Sequence, residues 1–295
     1  MDSETLRIFA AVAAELSITR AAARLGRAPS NVTTRIQQLE SDLGTELFVR
    51  TGKRLFLSPA GERLVDYGAR MLALEDEARQ VVSGGGHAGV LRLGSMESTA
   101  AARLPAILAA FHQRQPATRM QLQTGPSMPL LEQVRNGQLD CAFVALPADF
   151  GGVEALADLG LQARAVWREQ LLLAMPSGAL AGGDIDHLAI RSLAAFPQGC
   201  TYRGVAEALL GVHGSTGWRV QEMASYHAMI ACVAAGACVT LLPESVLNLS
   251  PAREQLQTWR AGPADTLLVW RERSFTPALE QLLALLPEVA DGADA

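Results

Sequence analysis

Residues 17–50 read SITRAAARLGRAPSNVTTRIQQLESDLGTELFVR, and their spacing decides the first half of the fold. Ser17 suits an N-cap, because its hydroxyl can accept from a backbone N–H one turn on. Ile18, Ala21, Ala22 and Leu25 then repeat at three and four residues, which makes one apolar helical face. Gly26 follows where a helix can end with positive φ. Pro29 suits an early helical position and Ser30 a cap, so a second helix is expected to open there with Val32, Ile36 and Leu39 as its buried stripe. Asn31, Thr33, Thr34 and Arg35 lie off that stripe. Two short helices joined by a tight glycine turn make a helix-turn-helix, whose second helix enters the major groove. Asn pairs with adenine there, Arg with guanine, and a threonine methyl meets thymine. An ordinary helical hairpin with one polar face has the same spacing.

Charge narrows the choice. The chain has 295 residues and a net charge of −5, which argues against a nucleic-acid binder if taken whole. Between Ser17 and Arg54, however, seven cations (Arg20, Arg24, Arg27, Arg35, Arg50, Lys53, Arg54) face three anions (Glu40, Asp42, Glu46), a local excess of +4. Lys53 is the sole lysine, so phosphate contact falls almost wholly to arginine. The length fits two or more domains, and hydrophobic residues make up 49%. No run of apolar residues is long enough to span a bilayer, and the acidic start Met1-Asp2-Ser3-Glu4 is unlike a secretory signal, so a cytoplasmic protein with no membrane partner is expected. Cys141, Cys200, Cys232 and Cys238 form no Cys-x-x-Cys pair, and a zinc site is not expected. The five histidines, His87, His112, His187, His213 and His227, show no metal spacing. No phosphate loop or nucleophile elbow occurs either, so neither a cofactor nor an enzyme is expected.

The longer string AAARLGRAPSNVTTRIQQLESDLGTELFVRTGKRLFLSPAGERL resembles the N-terminal domain of LysR-type transcriptional regulators. The likeness runs without a gap through Leu25, Ile36–Leu39–Glu40, Leu43–Gly44, Leu47–Phe48–Arg50 and Ser58–Pro59–Ala60–Gly61. Pro29 stands where the family often has Gln, and Thr33 where it usually has Ser, so base preference does not transfer from relatives. The residues expected to meet DNA are Arg27, Ser30, Asn31, Thr33, Thr34 and Arg35, with Arg50, Lys53 and Arg54 from a two-stranded wing reaching the sugar-phosphate backbone.

The resemblance implies a fold in two parts: a mainly α winged helix-turn-helix, then an α/β two-lobed effector domain like a periplasmic binding protein. The expected boundaries are 1–58 for the DNA-binding domain, 59–82 for a linker helix, 83–89 for a Gly-rich hinge and 90–295 for the effector domain. Lobe one takes 90–163 and 267–295, and lobe two 164–266. Along 59–82, Leu64, Tyr67, Met71, Leu74, Ala78 and Val81 form a stripe that must be covered. In the family this helix makes a homodimer, and relatives commonly form tetramers.

From Gly89 strands alternate with helices, which predicts a parallel sheet with helices on both faces. Strands are expected at Val90–Gly94, Met120–Thr124, Cys141–Ala145, Gln170–Met175, Trp218–Gln221, Val239–Leu242 and Leu267–Trp270. Ligands bind beyond the carboxyl ends of such strands, which places Ser98, Thr99, Thr124 and Ser127 at the mouth of a site. From lobe two, Thr201 and Tyr202 on a loop, Arg203 as a partner for an anion, and Ser225 as a cap are expected to complete it. The expected ligand is a small anionic effector whose binding shifts how dimers assemble on double-stranded DNA. Two rivals stay open. Cys200, on a helix N-terminal loop that would lower its pKa, could sense oxidants. The two-lobed part could also be a small-molecule binding protein without a DNA function.

Overall fold

A computed structural model of the chain describes residues 1–52, 54–82, 89–180, 185–212, 217–272, 274 and 276–287. Lys53, hinge residues 83–88, His213 and the tail from 290 lie outside them. The chain divides into two compact units, one formed by Met1–His87 with Asn136–Gln138 and the other by the remainder.

The first unit holds α1 (Ser3–Glu15), α2 (Ile18–Leu25), α3 (Pro29–Leu43), the hairpin β1 (Phe48–Thr51) and β2 (Arg54–Leu57), and α4 (Pro59–Val82). Asp2 caps α1 by accepting from the Thr5 N–H at 2.7 Å, and Ser17 caps α2 by accepting from Arg20 at 3.4 Å. Gly26 ends α2 at φ 64°, a left-handed turn that is costly for any residue with a Cβ. The Ser30 cap expected from the sequence is not found. Ala28 is the N-cap and makes no side-chain bond, so the preset φ of Pro29 opens the helix. Val32, Ile36 and Leu39 are buried against Ile8, Phe9 and Val12 of α1 and Leu47 at the start of the wing.

Side chains fix the wing to α3. The Glu40 carboxylate accepts from the backbone N–H groups of Leu47 at 2.8 Å and Phe48 at 3.2 Å. Ser58 donates to the Glu46 carbonyl at 2.6 Å and accepts from the Gly61 N–H at 3.0 Å. Gly61 has no room for a side chain, since a Cβ there would stand 2.1 Å from the Leu47 carbonyl oxygen. The run Ser58-Pro59-Ala60-Gly61 is thus the seam that starts α4 against the wing.

The second unit is built on one sheet in the order β4-β3-β5-β10-β6-β9-β7-β8. Its elements are β3 (Val90–Ser95), α5 (Glu97–Ala102), α6 (Leu104–Arg114), β4 (Arg119–Thr124), α7 (Ser127–Arg135), β5 (Cys141–Val144), α8 (Gly152–Asp158), β6 (Leu161–Pro176), β7 (Ser192–Ala195), α9 (Thr201–Leu209), β8 (Arg219–Glu222), α10 (Tyr226–Ala234), β9 (Val239–Pro243), α11 (Glu244–Leu247), β10 (Leu256–Arg271) and α12 (Pro277–Leu283). β3 pairs in parallel with β4 and β5, and β7 with β8 and β9.

Between these two parallel groups run β6 and β10, antiparallel over almost their full 16 residues, from Leu256 opposite Pro176 to Arg271 opposite Leu161. They carry the chain from one half to the other and back. The parallel pairing expected from the sequence holds within each half, while the two crossing strands run against their neighbours. Helices cover both faces of each half. Phe111 of α6 and Leu279 and Leu282 of α12 pack on one face of the first half, and Leu130, Leu131 and Val134 of α7 on the other. In the second half Tyr202 and Ala206 of α9 cover one face, and Met229, Ile230 and Val233 of α10 the other.

Several helix boundaries differ from expectation. The loop expected over Ser95–Thr99 is already helical from Glu97, and the helix expected over Ala100–Gln115 is broken at Arg103. The loop expected up to Arg203 is helical from Thr201. Among the described residues no helix is long and apolar enough to cross a membrane.

Candidate functional site

The polar face of α3 is one candidate surface. Ser30, Asn31 and Thr34 are exposed, while Thr33 and Arg35 are half-buried. Thr33 donates its hydroxyl to the Pro29 carbonyl at 3.0 Å, and Thr34 to that of Ser30 at 3.0 Å. Both hydroxyls are spent on the helix backbone, which leaves methyl groups and lone pairs for an outside partner. Arg50 and Arg54 stand exposed on the wing. Arg27 is paired with the Glu4 carboxylate. Its expected phosphate contact would have to draw it from that partner.

The second candidate is a cavity of about 200 Å³ between the two halves of the sheet. Met96, Glu97, Ser98, Thr124, Gly125, Pro126 and Ser127 line it from the first half. Phe196, Pro197, Cys200, Tyr202, Ala224 and Tyr226 line it from the second. These residues follow β3, β4, β7 and β8, at the carboxyl ends of parallel strands, where an open α/β sheet places its ligands.

Of the nine residues expected at or beside the effector site, Ser98, Thr124, Ser127, Cys200 and Tyr202 line this cavity. Thr99 is buried in α5 and does not line it. Thr201 instead donates to the Ala145 carbonyl at 2.5 Å, and Ser127 accepts from the Ala145 N–H at 3.2 Å, so two hydroxyls hold the two peptide groups that flank the Ala145 Cα. Ser225 is the N-cap residue of α10 but makes no side-chain cap bond.

Arg203 departs most from expectation. It is 8% exposed and donates to Glu207 at 2.7 Å, Glu222 at 2.6 Å and the Phe196 carbonyl at 3.1 Å. Its guanidinium is a structural cation within the second half and is not offered to the cavity. The lowered pKa expected for Cys200 is reversed as well. Burial pushes the thiol up and outweighs the N–H groups of Arg203 and Tyr202 that point at its sulfur.

Sequence reading missed Glu97, Phe196 and Tyr226. Glu97 lies in a stretch expected to be a loop, and no motif marks the two rings. Burial raises the Glu97 carboxyl, while the charge of His227 and the Tyr226 N–H that it accepts from lower it. Its Oε2 is buried without a hydrogen-bond partner, whereas the buried Tyr202 hydroxyl lies beside those of Thr266 and Ser98. One further tie runs below the cavity: Arg103 holds Glu169 of β6 with two bonds of 2.7 and 3.1 Å, and Ser245 donates to the same carboxylate at 2.8 Å.

Two family models match the chain in tandem. Residues 3–62 match the bacterial regulatory helix-turn-helix protein of the lysR family, and residues 84–291 match the LysR substrate binding domain. The chain belongs to the LysR family. It is a DNA-binding transcriptional regulator with an effector-binding domain, and the family is not one of enzymes. The regulator GltR of Bacillus subtilis (strain 168) is 34% identical over 289 residues, covering 96% of this chain and 95% of its own. YusT of the same organism, described as an uncharacterized HTH-type transcriptional regulator, is 34% identical over 260 residues, 88% of this chain and 84% of its own. Among solved structures, full-length CbnR in complex with its target DNA superposes with a TM-score of 0.67 over 97% of this chain and 99% of its own. At 21% identity that likeness speaks for the fold alone.

Proposed function

We propose that this regulator reads its operator with Asn31, Thr33, Thr34 and Arg35 of α3, with Ser30 at the helix start. Arg27, Arg50, Lys53 and Arg54 would contact phosphate. The observation that carries the reading is the exposed polar face of α3, held rigidly beside a cationic wing by Glu40. Asn31 and Arg35 have side chains that pair bidentately with purines, and the outward methyls of Thr33 and Thr34 suit thymine.

α4 supports a homodimer. Tyr67, Met71 and Leu74 are 60%, 46% and 65% exposed along one helical face, more apolar surface than a lone helix leaves in water. A two-fold protein of this kind binds a partial palindrome. Further assembly to a tetramer follows the habit of the family, and binding to DNA in a bacterial cell makes the protein cytoplasmic.

The effector would occupy the cavity between the halves of the sheet. Ligand binding there favours one arrangement of the halves, and the spacing of dimers on DNA shifts with it. The anionic effector expected from the sequence loses its main support with Arg203, and among the described residues no lysine, arginine or histidine lines the cavity. Oxidant sensing at Cys200 finds no support in a thiol whose pKa is raised. A panel of small metabolites added to the protein on DNA from upstream of its own gene tests the effector reading. At least one is expected to change the length or the phasing of the protected region; a panel that binds the protein and never alters protection would contradict the coupling.

A further inference from the structure

The cavity's lining has a chemistry of its own. Among the described residues that line it, the one charged side chain is the carboxylate of Glu97. Its walls include Phe196 and two of the chain's three tyrosines, Tyr202 and Tyr226. Phe196 and Tyr226 meet nearly edge to face, with centroids 4.8 Å apart and planes at 69°. A carboxylate among aromatic rings attracts a cation twice, by Coulomb attraction and by the negative faces of the rings. The same lining repels an anion.

One unpartnered atom points the same way. Glu97 Oε2 is buried and accepts no hydrogen bond. Buried polar groups normally have partners, so it marks where a ligand's polar head belongs. Two backbone donors beside the cavity are already taken. Glu97 itself accepts from the Tyr226 N–H at the start of α10, and the Gly199 carbonyl accepts from that of Met128 at 3.3 Å.

We infer that the effector carries an ammonium group, seated against Glu97 among Phe196, Tyr202 and Tyr226, on a small apolar body that fills the remainder of the cavity. The inference rests on the reading that this cavity is the effector site. The ammonium donates to Glu97 Oε2.

Matched probes test it by titration calorimetry on the full-length chain: phenethylammonium against 3-phenylpropionate, and n-pentylammonium against n-hexanoate. The ammonium member of each pair is expected to bind at least tenfold tighter. Glu97→Gln is expected to erase that preference, and Phe196→Leu to weaken the ammonium probes severalfold while leaving the carboxylates unchanged. Circular dichroism reports whether each variant folds; if Glu97→Gln does not, Phe196→Leu carries the test. Carboxylates that bind as well as ammonium ions, or a preference untouched in both variants, would overturn the inference, as would no binding by any probe. DNA protection assayed on the same samples separates the two readings. A carboxylate that shifts protection leaves the regulator standing and removes the ammonium. An ammonium probe that binds with the expected preference and never shifts protection keeps the ligand class and removes the effector role.

Discussion

The Thr201 hydroxyl donates to the Ala145 carbonyl at 2.5 Å, and this bond ties the first turn of α9 in one half of the effector domain to the end of β5 in the other. The donor is 7% exposed and the acceptor residue 1% exposed. Replacing Thr201 by Val keeps the shape and removes the donor. A buried carbonyl deprived of its partner costs about 1–3 kcal/mol, so Thr201→Val is expected to lower the unfolding free energy by that amount, seen as a lower urea midpoint with an unchanged slope. An unchanged midpoint would mean that the two halves are held together elsewhere.

Arg203 gives a sharper contrast between structural and ligand roles. Glu207, 4% exposed, sits 2.7 Å from its guanidinium. Removing one partner of a buried ion pair costs on the order of 3 kcal/mol. Arg203→Met is expected to lose stability on that scale, and the double variant Arg203→Met with Glu207→Leu to recover much of it. Had Arg203 been an effector ligand, the single variant would lose affinity and keep its stability.

Much of the first unit was legible in the sequence and less of the second, and the difference is physical. The helix-turn-helix is specified locally, by Asp2, Ser17, Gly26 and Pro29, each acting within a turn of its own position. β6 and β10 are specified by distant partners. Within β6 only 170–175 reads as an apolar run, while 161–169 carries Arg164, Arg168 and Glu169. β10 contains Gly262-Pro263, which reads as a turn, yet the ladder accommodates it with an irregularity between Arg260 and Gly262. The cavity was half legible for a related reason. Cys200 caps α9 without a side-chain bond, so the helix start lacks a signature, and Thr201, Tyr202 and Arg203 read as a ligand-facing loop. Helical geometry instead turns Arg203 onto Glu207 one turn on.

Glu97 makes the stability of the unliganded effector domain depend on pH. Burial raises its carboxyl above the ordinary 4.5, against the charge of His227 and the Tyr226 N–H. An acid whose folded pKa is raised destabilises the fold once its unfolded form ionises, so its cost grows as pH climbs from 4.5 through the raised value. Glu97→Gln is therefore expected to melt above the wild type at neutral pH, with the gap closing below the carboxylate range. Parallel melting curves at every pH would refute this account of Glu97.

α4 offers the next test. Leu74 is 65% exposed and Tyr67 60% exposed, with the Arg70 guanidinium 5.5 Å from the Tyr67 ring centroid. If this face is the dimer seam, Leu74→Glu buries a charge there without a partner. Sedimentation is expected to show a folded monomer whose affinity for a two-half-site operator falls at least tenfold. A variant that sediments as the wild type would place the interface elsewhere.

The central claim, that α3 reads DNA through its exposed face, is tested most directly by footprinting. DNA upstream of the chain's own gene is titrated over a range of salt with the wild type, Arg35→Ala and Arg54→Ala. The account predicts a protected partial palindrome whose affinity falls steeply with salt. Arg35→Ala should cost about 1–3 kcal/mol and relax preference at one base pair in each half-site. Arg54→Ala should weaken all sequences alike and flatten the salt slope. Protection without sequence preference, or an Arg35→Ala variant that binds and discriminates like the wild type, would contradict it.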